Sequence, residues 1–85
     1  MPMHYREQQR ATAAYHRYRD RITSPLKRLE YDLEKIKAGL HPTIFSLDVG
    51  SAVNDALADA IRNGVKRNQL HESLNTIGLQ LDNVI

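Results

Sequence analysis

Residues 15–40 read YHRYRDRITSPLKRLEYDLEKIKAGL, and an apolar stripe runs through that stretch at Tyr15, Tyr18, Ile22, Leu26, Leu29, Leu33, Ile36 and Leu40. Their intervals are three and four throughout, which is the repeat of one face of an α-helix and not the alternation of a strand. Two successive intervals of four end at Leu26, where Ser24 and Pro25 interrupt the stripe. Serine is a favoured N-cap and proline suits the first helical position, so a new helix is expected to start there. The pattern predicts a helix over about 5–22, a kink or break at Ser24-Pro25, and a helix over about 25–38. Gly39 and Pro42 mark its end, one by taking a left-handed cap and the other by blocking continuation.

The connector, residues 41–50, is open to two readings. Phe45-Ser46-Leu47-Asp48-Val49 alternates like a short strand, while Ser46 or Asp48 can equally cap the next helix. Beyond it, Val49, Ala52, Val53, Ala56, Leu57, Ala60 and Ile61 form a narrow stripe of small residues that ends at Asn63-Gly64. Leu70, Leu74, Ile77, Leu81 and Val84 form a third seam at heptad-like spacing. Gly78 lies inside that seam, and the unbroken phase favours a helix that runs through it. The expected fold is an all-α bundle of three to four helices. It comprises a basic helical arm (1–40), the connector (41–50) and a helical hairpin (51–85), completed by homodimerisation.

Size and composition point the same way. A chain of 85 residues builds one thin core. With no cysteine present, self-association is the remaining way to strengthen it. Leu29, Leu33, Ile36, Leu57, Ile61, Leu70, Leu74, Ile77 and Leu81 are the expected core or oligomer seam. No apolar run reaches the roughly 18–20 residues of a membrane span, and no signal-peptide core is evident, so a cytoplasmic protein without membrane contact is expected.

Charge is distributed unevenly. Residues 1–40 hold nine Lys/Arg against five Asp/Glu, a balance of +4, whereas residues 41–85 hold three against five, a balance of −2. The acids of the second helix fall at helix-pair spacing from its bases (Lys27 with Glu30, Arg28 with Asp32, Asp32 with Lys35, Glu34 with Lys37) and read as a solvated, salt-bridged face.

Catalytic and metal chemistry find no support in the spacing. His4, His16, His41 and His71 include no pair three or four apart, and no thiolate can complete a zinc site. His41 is expected to meet the carbonyls of the helix it follows. Ser24, Ser46, Ser51 and Ser73 have better readings as caps or helix residues than as nucleophiles. The four glycines stand singly, unlike a phosphate loop. No enzyme, cofactor or small-molecule substrate is therefore expected.

The distinctive patch is the mixture of arginine and tyrosine in the first helix. Tyr5, Arg10, Tyr15, Arg17, Tyr18, Arg19 and Arg21 are the expected partner-binding residues, because tyrosine and arginine are enriched at interface hot spots. The bland alternative stays open, in which Tyr15 and Tyr18 serve the apolar seam and the arginines only solubilise the helix. A protein partner is the first expectation and a regulatory role, as inhibitor, modulator or adaptor, its consequence. Nucleic acid is the second, since arginine also binds phosphate.

Two resemblances accompany that second reading. Residues 45–74 resemble a ribbon-helix-helix unit: Phe45 to Val49 as the strand, Ser51 to Asn63 as the first helix, and Lys66-Arg67-Asn68 opening the second. This resemblance implies a dimer whose paired strands enter a DNA major groove. Ala60-Ile61-Arg62-Asn63-Gly64-Val65 followed by Leu70 is also similar to the framework of a helix-turn-helix.

Overall fold

The computed structural model describes residues 5–45 and 48–79, apart from the side chains of Tyr5 and Phe45. Helices α1 (Tyr5–Asp20) and α2 (Pro25–Lys37) are followed by a 3-10 turn (Pro42–Phe45) and by helices α3 (Val49–Arg62) and α4 (Arg67–Ile77). The described residues contain no strand, and none of their helices is long and apolar enough to cross a membrane. Phe45 closes the 3-10 turn and Val49 opens α3, so the strand reading of the connector is not realised at either residue; Ser46 and Leu47 lie outside the described residues.

Local signals set the element ends. Ser24 Oγ accepts from the Lys27 N–H at 3.4 Å, and Pro25 takes the first turn of α2. The interruption is a full break and not a kink, because α1 stops at Asp20 and residues 21–24 are non-helical. Asp48 caps α3 by accepting from the Ser51 N–H at 2.7 Å. Helices α2, α3 and α4 end alike, with a left-handed glycine and an N–H one residue later reaching back across the last turn. Leu40 bonds Lys35, Val65 bonds Ala60 and Leu79 bonds Leu74. Gly78 therefore terminates α4 at φ 80°, which corrects the expectation that the helix continues through it. A cap motif worth several orphan carbonyls outweighs the phase of a seam. Leu81 and Val84 lie outside the described residues.

Helix α2 is the centre of the bundle, with α3 and α4 both packed on it. Leu29, Leu33 and Ile36 meet Ala52, Val53, Ala56, Leu57 and Ala60 of α3, Leu70 and Leu74 of α4, and Val65 of the intervening turn. The alanines let α3 approach closely. Leu33 and Leu57 have no exposed surface, and burial of each such side chain contributes about 1.5–3 kcal/mol. Ile77 packs at the margin of this core, whereas Ile61 stays 42 % exposed, off the flank of α3 (Ala52, Val53, Ala56, Leu57 and Ala60) that enters the core. Among the described residues, α1 contributes one buried hydrophobic side chain, Tyr15, which lies outside this cluster.

Candidate functional site

Helix α1 rests on the 3-10 turn and on the Tyr15 ring, and a set of polar side chains converges below that ring. Tyr15 and Arg19, one helical turn apart, share a face of α1. Asp32 of α2 lies between Leu29, Leu33 and Ile36 on the stripe that faces inward and is 3 % exposed. The Tyr15 hydroxyl donates to Asp32 Oδ1. Arg19 Nε donates to the same carboxylate at 3.0 and 3.2 Å, and its Nη2 reaches Asp59 of α3 at 2.6 Å. His41 completes the group, its Nε2 lying 3.1 Å from the Tyr15 hydroxyl.

The roles of these groups can be assigned. The Thr43 N–H donates to His41 Nδ1 at 3.1 Å, so Nδ1 carries no proton and Nε2 does. Nε2–H then donates to the Tyr15 oxygen, whose own proton goes to Asp32. Each bond depends on the one before it. The rings reinforce the arrangement: Tyr15 stacks on Tyr31 at 5.6 Å between centroids and meets His41 edge-on at 4.9 Å.

Burial dominates the electrostatics here. It holds the Tyr15 hydroxyl far above its ordinary range, with the Asp32 carboxylate adding to the effect. Burial works against the Arg19 charge, yet the hydrogen bond and charge of Asp32 outweigh it and hold the guanidinium above its usual value. His41 is pushed down by burial against the opposing pull of Asp32, which keeps it neutral. Tyr31 is pushed up by burial and then by Asp32, and its buried hydroxyl has no hydrogen-bond partner among the described residues.

These positions revise three expectations. Asp32 does not belong to a solvated salt-bridged face, because its place on the inward stripe turns it to Tyr15 and Arg19. Arg28 instead donates to the Ile22 carbonyl, pinning the linker, and Lys37 donates to the Ile77 carbonyl at 2.6 Å. His41 turns inward to Tyr15 and away from the helix carbonyls.

The expected partner-binding residues divide into two groups. Tyr15 and Arg19 are engaged within the chain. Arg10, Arg17, Tyr18 and Arg21 point outward, and Tyr18 is 55 % exposed. Tyr5's side chain lies outside the described set. Beside Tyr18 is a hollow of 180 Å³ formed with Ala11, Ala14, Tyr31, Lys35 and Leu40. The Arg21 guanidinium lies 5.8 Å from the Tyr18 ring centre and the Lys35 ammonium 5.4 Å from that of Tyr31. The result is an apolar depression with Lys35 in its lining and the Arg21 guanidinium against the ring of Tyr18.

The sequence does not single out Asp32, His41 and Asp59 as a group. One signal for Asp32 is present in the sequence, an acid inside an apolar helical stripe. His41 and Asp59 carry none, since their partners are distant in the chain. The described residues contain no grouping of three His, Asp or Glu side chains able to hold a metal ion. Lys66, Arg67 and Asn68 are exposed at the start of α4. The chain matches no protein-family model, no curated protein and no solved structure.

Proposed function

We propose that this protein is a small non-enzymatic regulator that binds another protein through the outer face of α1. The observation that carries the reading is the hollow beside Tyr18. An aromatic ring more than half exposed, next to Leu40 at 39 % exposure and to Lys35, with Arg21 against it, has the composition of an interface anchor. The two cations favour an acidic partner, and an amphipathic helix with one apolar anchor fits a depression of this size. Self-association belongs to the same proposal, because Ile61 of α3 is 42 % exposed. A cytoplasmic setting is part of this reading as well.

Tyr18→Asp is the direct test. In capture from source cells, the wild-type chain is expected to retain a stoichiometric protein that Tyr18→Asp loses. The thermal transition should move by no more than about 0.5 kcal/mol, as for an ordinary surface change. Equal capture by both chains would remove Tyr18 from the interface. Binding to nucleic acid that falls steeply with salt, and is lost on replacing Arg17 and Arg21, would favour the phosphate-binding alternative.

A further inference from the structure

We propose that α1 is a detachable arm, and that protonation of His41 releases it while α2, α3 and α4 stay folded. Release of α1 in this way does not depend on that helix meeting the partner proposed above.

The first support is the division of the fold. Among the described residues, the buried apolar cluster draws on α2, α3, α4 and the α3–α4 turn, with Ile44 of the 3-10 turn packed against it, and α1 meets it through that turn. Tyr15 is the buried hydrophobic residue of α1, and its hydroxyl is spent on Asp32 and His41. Removing α1 therefore leaves the Leu29, Leu33, Leu57 and Leu70 cluster in place and uncovers the polar group, the Tyr31 ring and the 3-10 turn on which α1 rests. A hinge is in place, because residues 21–24 are non-helical and α2 carries its own cap at Ser24.

The second is the chemistry of His41. It is buried, and both ring nitrogens are committed, Nδ1 as acceptor from Thr43 and Nε2 as donor to Tyr15. A second proton on Nδ1 converts that acceptor into a donor facing the Thr43 N–H. The bond is lost and a charge is left in a buried position. Tyr15, His16 and Arg19 of α1, Asp32 of α2 and Asp55 of α3 face the ring. Asp32 and Asp55 favour the imidazolium, while burial, Arg19 and His16 oppose it, and burial is the largest effect. Asp32 is already bonded to Tyr15 and Arg19 and offers His41 no direct bond to replace the lost one.

The sign follows from linkage. His41 is held below its ordinary value near 6.5 in the attached state and returns toward it when α1 leaves. Between the two values the detached state binds more protons, so acid favours detachment by about tenfold per pH unit below 6.5. Above that pH the attachment is fully present.

The chain has no cysteine, so Ala13→Cys in α1 and Asn68→Cys in α4, both exposed, give a uniquely spin-labelled pair. Electron-spin distance measurements are expected to show a narrow distribution at pH 7.5 and a broad one at pH 5. The midpoint should coincide with the titration of the His41 ring followed by NMR, and the methyl signals of Leu33 and Leu57 should be unchanged through it. His41→Gln should abolish the pH dependence and His16→Gln should retain it. A narrow distribution at both pH values, a midpoint separate from the His41 titration, or loss of the Leu33 and Leu57 signals at that midpoint would each overturn the proposal. The wild-type titration decides the matter even if His41→Gln does not fold.

Discussion

Helix α1 and helix α4 have similar surroundings in the chain, each a short helix flanking α2 or α3, but they are held by different forces. Leu70 and Leu74 fasten α4 by burying hydrocarbon against α2 and α3. Tyr15 and Arg19 fasten α1 through hydrogen bonds and charge at Asp32, His41 and Asp59. Apolar attachment tolerates small displacements, since its strength follows area buried and hardly depends on direction or pH. Polar attachment is directional and conditional. A buried acceptor or donor left without its partner costs more than the bond contributed, so the group holds as a unit or fails as one. A molecule can thus keep a stable centre and a helix whose docking responds to conditions.

The largest expected effect comes from breaking the apolar side of that contrast. Leu33→Asp places an unpaired charge where the wild-type side chain has no exposed surface, and it should abolish the cooperative thermal transition seen by circular dichroism. Retention of a wild-type melting curve would mean that α2 is not the centre of the core.

Tyr15→Phe sharpens the contrast from the polar side. It keeps the ring and its stacking on Tyr31 but strips the hydroxyl that links His41 to Asp32. Leaving those two groups short of a bond should cost about 1–3 kcal/mol. The loss should be confined to α1, so amide exchange in residues 6–20 should quicken while that of α3 stays as it was. Uniform acceleration along the chain would erase the distinction between the two kinds of attachment.

The smallest effect is at alkaline pH. The folded-state value of Tyr15 is raised by burial and Asp32 above the ordinary value near 10. A group raised in this way contributes stability that is complete below pH 10 and is lost as pH rises beyond it, because only the unfolded or detached state then gives up its proton. Attachment of α1 should weaken by about tenfold per pH unit above 10, and Tyr15→Phe should remove that dependence. Ultraviolet titration of the phenolate, read beside α1 exchange, makes the comparison.

Much of the fold is legible one residue at a time. The break at Ser24-Pro25 and the end of α2 at Gly39 depend on neighbours within about five residues, whereas the connector's sequence suits a strand, a cap at Ser46 or the cap at Asp48 that α3 takes. The inward set Leu29, Leu33 and Ile36 repeats the helical period, and so does the small-residue stripe of α3. Gly78 marks where this reasoning reaches its limit. Helical phase carries on through it, but a glycine that can adopt positive φ competes with that phase, and the cap won.

Side chains with two possible environments could not be assigned from local pattern. Among the arginines and tyrosines of α1 and the residue that follows it, Tyr15 and Arg19 turn inward while Tyr18 and Arg21 turn outward, and the spacing alone suits either choice. What decided it was an acid 17 residues from Tyr15, a histidine 26 residues from it, and a second acid 40 residues from Arg19. Helix ends and periodic stripes follow from interactions along the chain. The destination of a buried polar group follows from what the fold brings opposite it, because such a group is tolerated inside only where its partners already stand.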